Sequence, residues 1–184
     1  MSSEIFHPEN NVRILRPNEI RKLINAIPKN VNRERFETLL YTGCRYTELI
    51  DVQGKKERID EGFIRIKNTK AMVKDKFRYV RLNTHGVRAV DYFMRHEKKL
   101  PSYVTWNENL RRWSKMANLN PSGISVKSTR KTWESFLVTM YPTSIIEIFL
   151  SIGHESTTAL KHYLQLPFTD RDKEEMKYYT DGWI

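Results

Sequence analysis

Apolar positions recur along this chain at two periods, and the change of period maps its elements. Ile20, Leu23, Ile24 and Ile27 share one face at helical spacing, which predicts an amphipathic helix over 17–27. Pro17 suits a first helical turn, Glu19 follows within it, and Pro28 stops it. A second helix is expected over 32–41, with Phe36, Leu39 and Leu40 inward and Gly43 as its stop. A short helix follows over 45–52. Then the period becomes two. Ile64 and Ile66 alternate with Phe63 and Arg65, and Val80 and Leu82 alternate with Tyr79 and Arg81. These are two strands, near 62–67 and 77–82, joined by a polar, lysine-bearing hairpin loop over 68–76. Thr84 is read as the cap of a helix that carries Val87, Val90, Tyr92 and Phe93. Thr105 is read as the cap of another, with Leu110, Trp113 and Met116 as its stripe. Residues 119–125 are loop. Helical segments over 127–140, 143–151 and 156–164 follow, and Pro167 ends the last. Residues 1–15 show little periodicity and read as a leader. Residues 168–184 form a charged tail with an aromatic finish at Tyr178, Tyr179 and Trp183. The main body is therefore expected over 16–167. The fold class is α+β, mostly α-helical, with a small antiparallel β-hairpin.

Charge narrows the function. Lys and Arg number 32 against 22 acidic residues, a net +10 on 184 residues. Such an excess points to a polyanionic partner, nucleic acid before an anionic membrane surface. The single cysteine, Cys44, excludes an intramolecular disulfide and a cysteine-based zinc site, and fits a reducing compartment. There is no apolar signal core near the start and no apolar run of about 18 residues, so no membrane segment is expected. Cys44, Trp106, Trp113 and Trp133 read as core.

Three local patterns carry chemistry. The first is Thr42-Gly43-Cys44-Arg45-Tyr46-Thr47-Glu48-Leu49. A glycine ends one helix, and an arginine opens the next beside the N–H groups of a helix N-terminus. Its planar guanidinium matches a phosphate, and Glu48 lies three residues on to orient it. The second is Lys127-Ser128-Thr129-Arg130, where positions i and i+3 aim two cations at one anion. The third is Ile152-Gly153-His154-Glu155-Ser156, followed by Tyr163. Taken singly, each has an ordinary alternative: a surface arginine beside a glutamate, a solvated basic turn, a loop histidine with a core tyrosine. Together they form a phosphoryl-transfer inventory. His154 and His162 stand too far from carboxylates for a metal site, so no metal or cofactor is expected.

In order and spacing, these residues resemble the tyrosine recombinases, the phage and archaeal integrase type, over about residues 15–166. TGCRYTEL is similar to the family's first arginine motif. KSTR stands where the family has His-x-x-Arg. IGHESTTALKHY is similar to its Leu-Gly-His segment, with Tyr163 nine positions after His154. The resemblance implies a catalytic domain that cleaves and rejoins double-stranded DNA through a 3′-phosphotyrosine at Tyr163. It implies phosphate binding by Arg45 and Arg130, a further donor at His154, and a hairpin lysine that protonates the leaving 5′-hydroxyl. That lysine is assigned to Lys70, with Lys67 and Lys74 as alternatives. Lys127 departs from the family histidine. It acts as base if its pKa is depressed by the nearby arginines, or serves as an added phosphate contact. The basic hairpin as a whole, Lys67, Lys70, Lys74, Lys76 and Arg78, is also expected on the DNA backbone. Arg111, Arg112 and Lys115 form a helix face that is DNA-facing or solvated. Tyr141, Tyr178 and Tyr179 are alternative phenols without the Gly-His context. The family also implies a homo-tetramer on paired sites, a monomer or dimer in free solution, and a tail that docks on a neighbouring protomer. A cytoplasmic setting, in a prokaryote or a virus-infected host, goes with mobile-element or viral integration. Two alternatives remain open: a catalytically silent DNA-binding module and a type IB topoisomerase-like enzyme.

Overall fold

The computed structural model describes residues 3–55, 59–68, 77–95, 99–153, 163 and 166–183. The described elements run β1 (Ile5–Phe6), β2 (Arg13–Ile14), α1 (Pro17–Ala26), α2 (Asn30–Thr42), α3 (Tyr46–Val52), β3 (Ile59–Asp60), β4 (Phe63–Lys67) and β5 (Phe77–Arg81). They continue with α4 (Thr84–Arg95), α5 (Tyr103–Met116), α6 (Ser128–Met140), α7 (Ile145–Ile152) and α8 (Asp170–Thr180). The chain is mostly helical with a small antiparallel sheet, the expected class. The segment expected as a helix over 156–164 lies outside the described residues apart from Tyr163.

Helix α6 organises the core. Every residue from Ser128 to Val138 is buried except Lys131, which is half-buried. A helix buried nearly all round has no solvent face for its charges, so Arg130 and Glu134 must find partners inside. Helices α2, α7 and α8 and strand β2 pack around it. Trp106 and Trp113 meet edge to face in α5, and Phe136 of α6 meets Phe168 and Tyr179. Such ring pairs add to the apolar burial that holds the body together.

The sheet order is β3-β4-β5, antiparallel, with Ile64 opposite Val80 and Ile66 opposite Arg78. Ile64, Ile66 and Val80 are buried, as their period of two predicts. Arg78 has the same parity as Val80 and is buried with it. That corrects its assignment to the DNA backbone: its position in the pleat turns it inward. The first strand of this sheet, β3, has only two residues and leaves no alternation to read.

Other details also differ from the expectations. The stretch read as a leader holds a two-strand antiparallel hairpin, Ile5 opposite Ile14 and Phe6 opposite Arg13. Two-residue strands carry no period, but Ile5, Val12, Ile14 and Leu15 are all buried. The Leu15 N–H donates to Thr132 Oγ1 at 2.9 Å and ties the hairpin to α6. Arg13 pairs with Glu4 and Glu19. Asn83, one residue before Thr84, caps α4: its Oδ1 accepts the Gly86 N–H at 2.8 Å. Ser102 caps α5, its Oγ accepting the Thr105 N–H at 3.1 Å. Met116 is exposed at the end of α5. The tail carries α8, where Arg16 pairs with Asp172 and Asn83 donates to the Tyr179 carbonyl, and beyond it Trp183 meets Trp133 edge to face. No described helix is long and apolar enough to cross a membrane.

Candidate active site

Two helix ends and one helix start converge on Arg130. Gly43 closes α2 at φ 57°, and Gly153 closes α7 at φ 69°, both left-handed. Helices that end this way leave carbonyls at the negative end of the helix dipole. Arg130 fills that place. Its Nη1 donates to the Gly43 carbonyl at 2.8 Å, its Nη2 donates to the Ile152 carbonyl at 2.7 Å, and its Nε lies 2.8 Å from Glu134 Oε1. The first two contacts are hydrogen bonds from its Nη atoms, and the third is an ion pair. Burial lowers the pKa of Arg130, and Glu134 opposes that effect.

Gly43 also answers to packing. A Cβ built on it would stand 2.3 Å from Cε3 of Trp133, so the indole lies directly on the glycine. The turn after α2 thus requires glycine twice, for its backbone angle and for the ring against it.

Arg45 sits just ahead of α3, two residues beyond Gly43. Its Nη1 donates to Glu48 Oε1 at 2.7 Å, and its backbone N–H donates to Glu48 Oε2 at 2.7 Å. The orienting pair expected at i,i+3 is therefore present. Glu48 is buried and carries a second cation: Arg78 Nη2 donates to its Oε2 at 2.7 Å, and Arg78 Nε donates to the Ser151 carbonyl at 3.0 Å. Burial alone would raise the Glu48 pKa. Arg78, by hydrogen bond and charge, and then Arg45 outweigh it, so the pKa lies below the ordinary 4.5. Arg78 is a site residue that the motifs do not reveal, although its strand parity marks it as inward.

Arg45, Thr47, Tyr103, Lys127, Arg130 and Lys131 line one cleft of about 310 Å³. Lys127 is exposed on its wall, directly ahead of α6. Glu48 and Glu134, the acids nearest these cations, have fully buried side chains. The cleft thus presents positive charge, with its counter-charges held behind the wall. Asn10 joins this cleft to a second concavity of about 540 Å³ that Arg111 and Lys115 line.

Tyr163 is buried beneath the N-terminal hairpin, with the His7 ring 5.4 Å from its own. Its hydroxyl donates to Glu134 Oε2 at 2.5 Å and accepts from Lys131 Nζ at 2.6 Å. Burial first, and then the charge and hydrogen bond of Glu134, push the phenol pKa well above its ordinary 10. Tyr163 is not part of the cleft wall. Its two contacts connect it there: Lys131 lines the cleft, and Glu134 also holds Arg130. Neither Lys131 nor Glu134 stands out in the sequence, because α6 reads there as an apolar stripe. Lys70 and His154 lie outside the described residues, as does Lys74. Lys67 is exposed at the end of β4. Tyr141 donates to the Thr180 carbonyl at the end of α8, and Tyr178, within α8, meets the His85 ring, so neither lines the cleft. Cys44 is buried, and burial pushes its thiol up to about 11. Among the described residues there is no group of three or more His, Cys, Asp or Glu side chains placed to hold a metal.

No protein-family model matches the chain, and no curated protein matches it. Solved structures do. The crystal structure of XerA recombinase aligns with a TM-score of 0.65 at 21% identity, covering 91% of this chain and 65% of that one. The Tn1549 transposon integrase, residues 82–397 in complex with circular intermediate DNA, aligns at 0.66 and 16% identity, covering 90% and 66%. XerH site-specific recombinase bound to difH substrate aligns at 0.62 and 18% identity, covering 82% and 49%. The chain spans about half to two thirds of the length of these solved chains. The likeness is one of fold, and the fold is that of the tyrosine recombinase catalytic domains.

Proposed function

We propose that this chain is the catalytic domain of a site-specific DNA recombinase or integrase, which cleaves and rejoins strands through a 3′-phosphotyrosine at Tyr163. The observation that carries the reading is the shared cleft. Arg45 and Arg130, far apart in sequence, line it with Lys127 and Lys131, and the Tyr163 hydroxyl lies on Lys131. Two guanidiniums fixed by buried carboxylates and helix-end carbonyls suit the nonbridging oxygens of a phosphodiester. They are held before substrate arrives, so little reorganisation is needed as charge develops. Lys127, exposed on the wall, adds a phosphate contact. Lys70 protonates the 5′-oxygen and His154 donates to the phosphate in this reading, which the family resemblance supports. The basic concavity at Arg111 and Lys115 continues the track of the duplex backbone. The partner is double-stranded DNA, the working assembly a homo-tetramer on paired sites, and the setting the cytoplasm of a prokaryote or infected host, with mobile-element or viral integration as the biological use.

The burial of Tyr163 favours one second reading, a DNA-binding module without strand cleavage. A nicked suicide duplex separates the two on a denaturing gel. The recombinase reading expects a protein band shifted by DNA, lost in Tyr163→Phe and in Arg130→Ala. DNA binding with no shifted band selects the binding module.

A further inference from the structure

Tyr163 needs a group to take its proton, and Lys127 does not fill that place: it is exposed at the cleft wall, while the phenol is buried behind Lys131. We infer that Glu134 is the proton acceptor for Tyr163, and that Lys131 is the cation that steadies the phenolate as it forms. The inference rests on the strand-transfer reading above.

The geometry is direct. One carboxylate oxygen, Glu134 Oε2, accepts the Tyr163 hydroxyl at 2.5 Å, and the Lys131 ammonium donates to the same phenol oxygen at 2.6 Å. The ammonium also lies 3.0 Å from Oε2. The other carboxylate oxygen, Oε1, lies 2.8 Å from Arg130 Nε. Base, nucleophile and phosphate-binding guanidinium are therefore joined through one side chain. Glu134 lies one helical turn beyond Arg130 in α6, which fixes the acceptor and the guanidinium on a single rigid element.

The chemistry follows from the environment. Burial and the Glu134 charge keep the phenol protonated at rest, so no standing phenolate supplies the attack. The proton must leave as the bond to phosphorus forms. At that moment the phenol oxygen becomes strongly acidic, and a carboxylate in contact is a sufficient base. Tyr163 Oη bonds to phosphorus, the P–O5′ bond breaks, the phenol proton passes to Glu134 Oε2, and the 5′-oxygen takes a proton from the general acid. In rejoining, a 5′-hydroxyl attacks phosphorus and its proton returns to the general acid, while the P–O bond to Tyr163 breaks and Glu134 returns the proton to the phenol oxygen. Lys131 offsets the charge on the phenol oxygen in both directions. Lys131 lines the same cleft as Arg130, which places it beside the seat of the scissile phosphate in this reading.

The test uses the full chain and a duplex on which the wild type forms the Tyr163-linked adduct, synthesised with a 5′-bridging sulfur at the scissile phosphate. The thiolate leaves without acid, so the rate reports activation of the nucleophile alone. Glu134→Gln keeps the shape and, with the protein saturated by DNA, should slow single-turnover cleavage ~10²–10⁴-fold at neutral pH. Its rate should climb by about tenfold per pH unit as the solvent takes over as base, while the wild type stays flatter. A Glu134→Gln rate and pH profile equal to wild type would overturn the assignment. So would faster cleavage, which would make the seat a store for the nucleophile. If Glu134→Gln does not fold, Glu134→Asp retains the charge and withdraws the carboxylate; slowed cleavage supports the inference and an unchanged rate overturns it. A wild-type chain that forms no adduct on any duplex it binds would overturn the strand-transfer reading itself, and this inference with it.

Discussion

Replacing Gly43 with alanine loads the site's backbone at one atom. The left-handed angle at φ 57° costs an L side chain about 1–2 kcal/mol. The new methyl would stand 2.3 Å from Cε3 of Trp133, and a ring wedged into a filled core must shift, at about 1–3 kcal/mol. Together these give about 2–5 kcal/mol, a large part of the ~5–15 kcal/mol that holds an ordinary domain folded. For a chain of this size the melting temperature should fall by roughly 5–20 °C. Gly54 supplies the control. It is also left-handed, φ 74°, but nothing lies within 4 Å of the position its added methyl would take. Gly54→Ala bears only the cost of the backbone angle, and the unfolded-state effect of adding a methyl is common to both variants. Urea unfolding of the two proteins therefore isolates the contact with Trp133. The difference between them should be about 1–3 kcal/mol. Because the Gly43 carbonyl holds Arg130, DNA cleavage should fall in Gly43→Ala and not in Gly54→Ala. Equal destabilisation of the two variants, within about 0.5 kcal/mol, would refute the packing of Trp133 on Gly43 and the backbone demanded there.

Further outcomes follow from the same site. Glu48→Gln strips a buried carboxylate from Arg45 and Arg78 and should cost about 3–5 kcal/mol in urea unfolding. Its folded-state pKa lies below the ordinary value, so its contribution is full above that value and is lost as pH falls through the lower, folded one. Melting temperatures between neutral pH and about pH 3 should therefore drop on the acid side, and less steeply in Glu48→Gln. Arg130→Lys cannot reach the Gly43 and Ile152 carbonyls and Glu134 together, and should lower the rate of covalent adduct formation by about 10²–10³-fold. The Cys44 thiol, buried and pushed up to about 11, should resist a thiol-reactive dye in the folded protein and react at once in urea.

Much of this architecture is legible in the sequence because its elements are long and periodic. The helices that begin at Pro17 and Ser128 and the strands carrying Ile64, Ile66 and Val80 all announce themselves by spacing. The caps are harder to place. Thr84 and Thr105 have capping side chains, yet Asn83 and Ser102 do the capping, because a neighbouring polar residue one or three places earlier competes for the same N–H groups. The N-terminal hairpin is hidden because two-residue strands show no alternation; only its buried Ile5, Ile14 and Leu15 betray it. At the site, Arg45 stands out because it follows a glycine-ended helix, and Arg130 because Lys127 lies three residues before it on the same face. Arg78 and Glu134 do not, since their roles depend on partners distant in sequence: Glu48 for the first, Tyr163 for the second. A buried charge is recognised only when the chain has brought its counter-charge to it.

The most direct test of the central claim is to digest the protein–DNA adduct and map the modified peptide by mass spectrometry. The account predicts one nucleotide-bearing residue, Tyr163, with no adduct in Tyr163→Phe. A nucleotide on Tyr141, Tyr178 or Tyr179, or an adduct that survives in Tyr163→Phe, would contradict it.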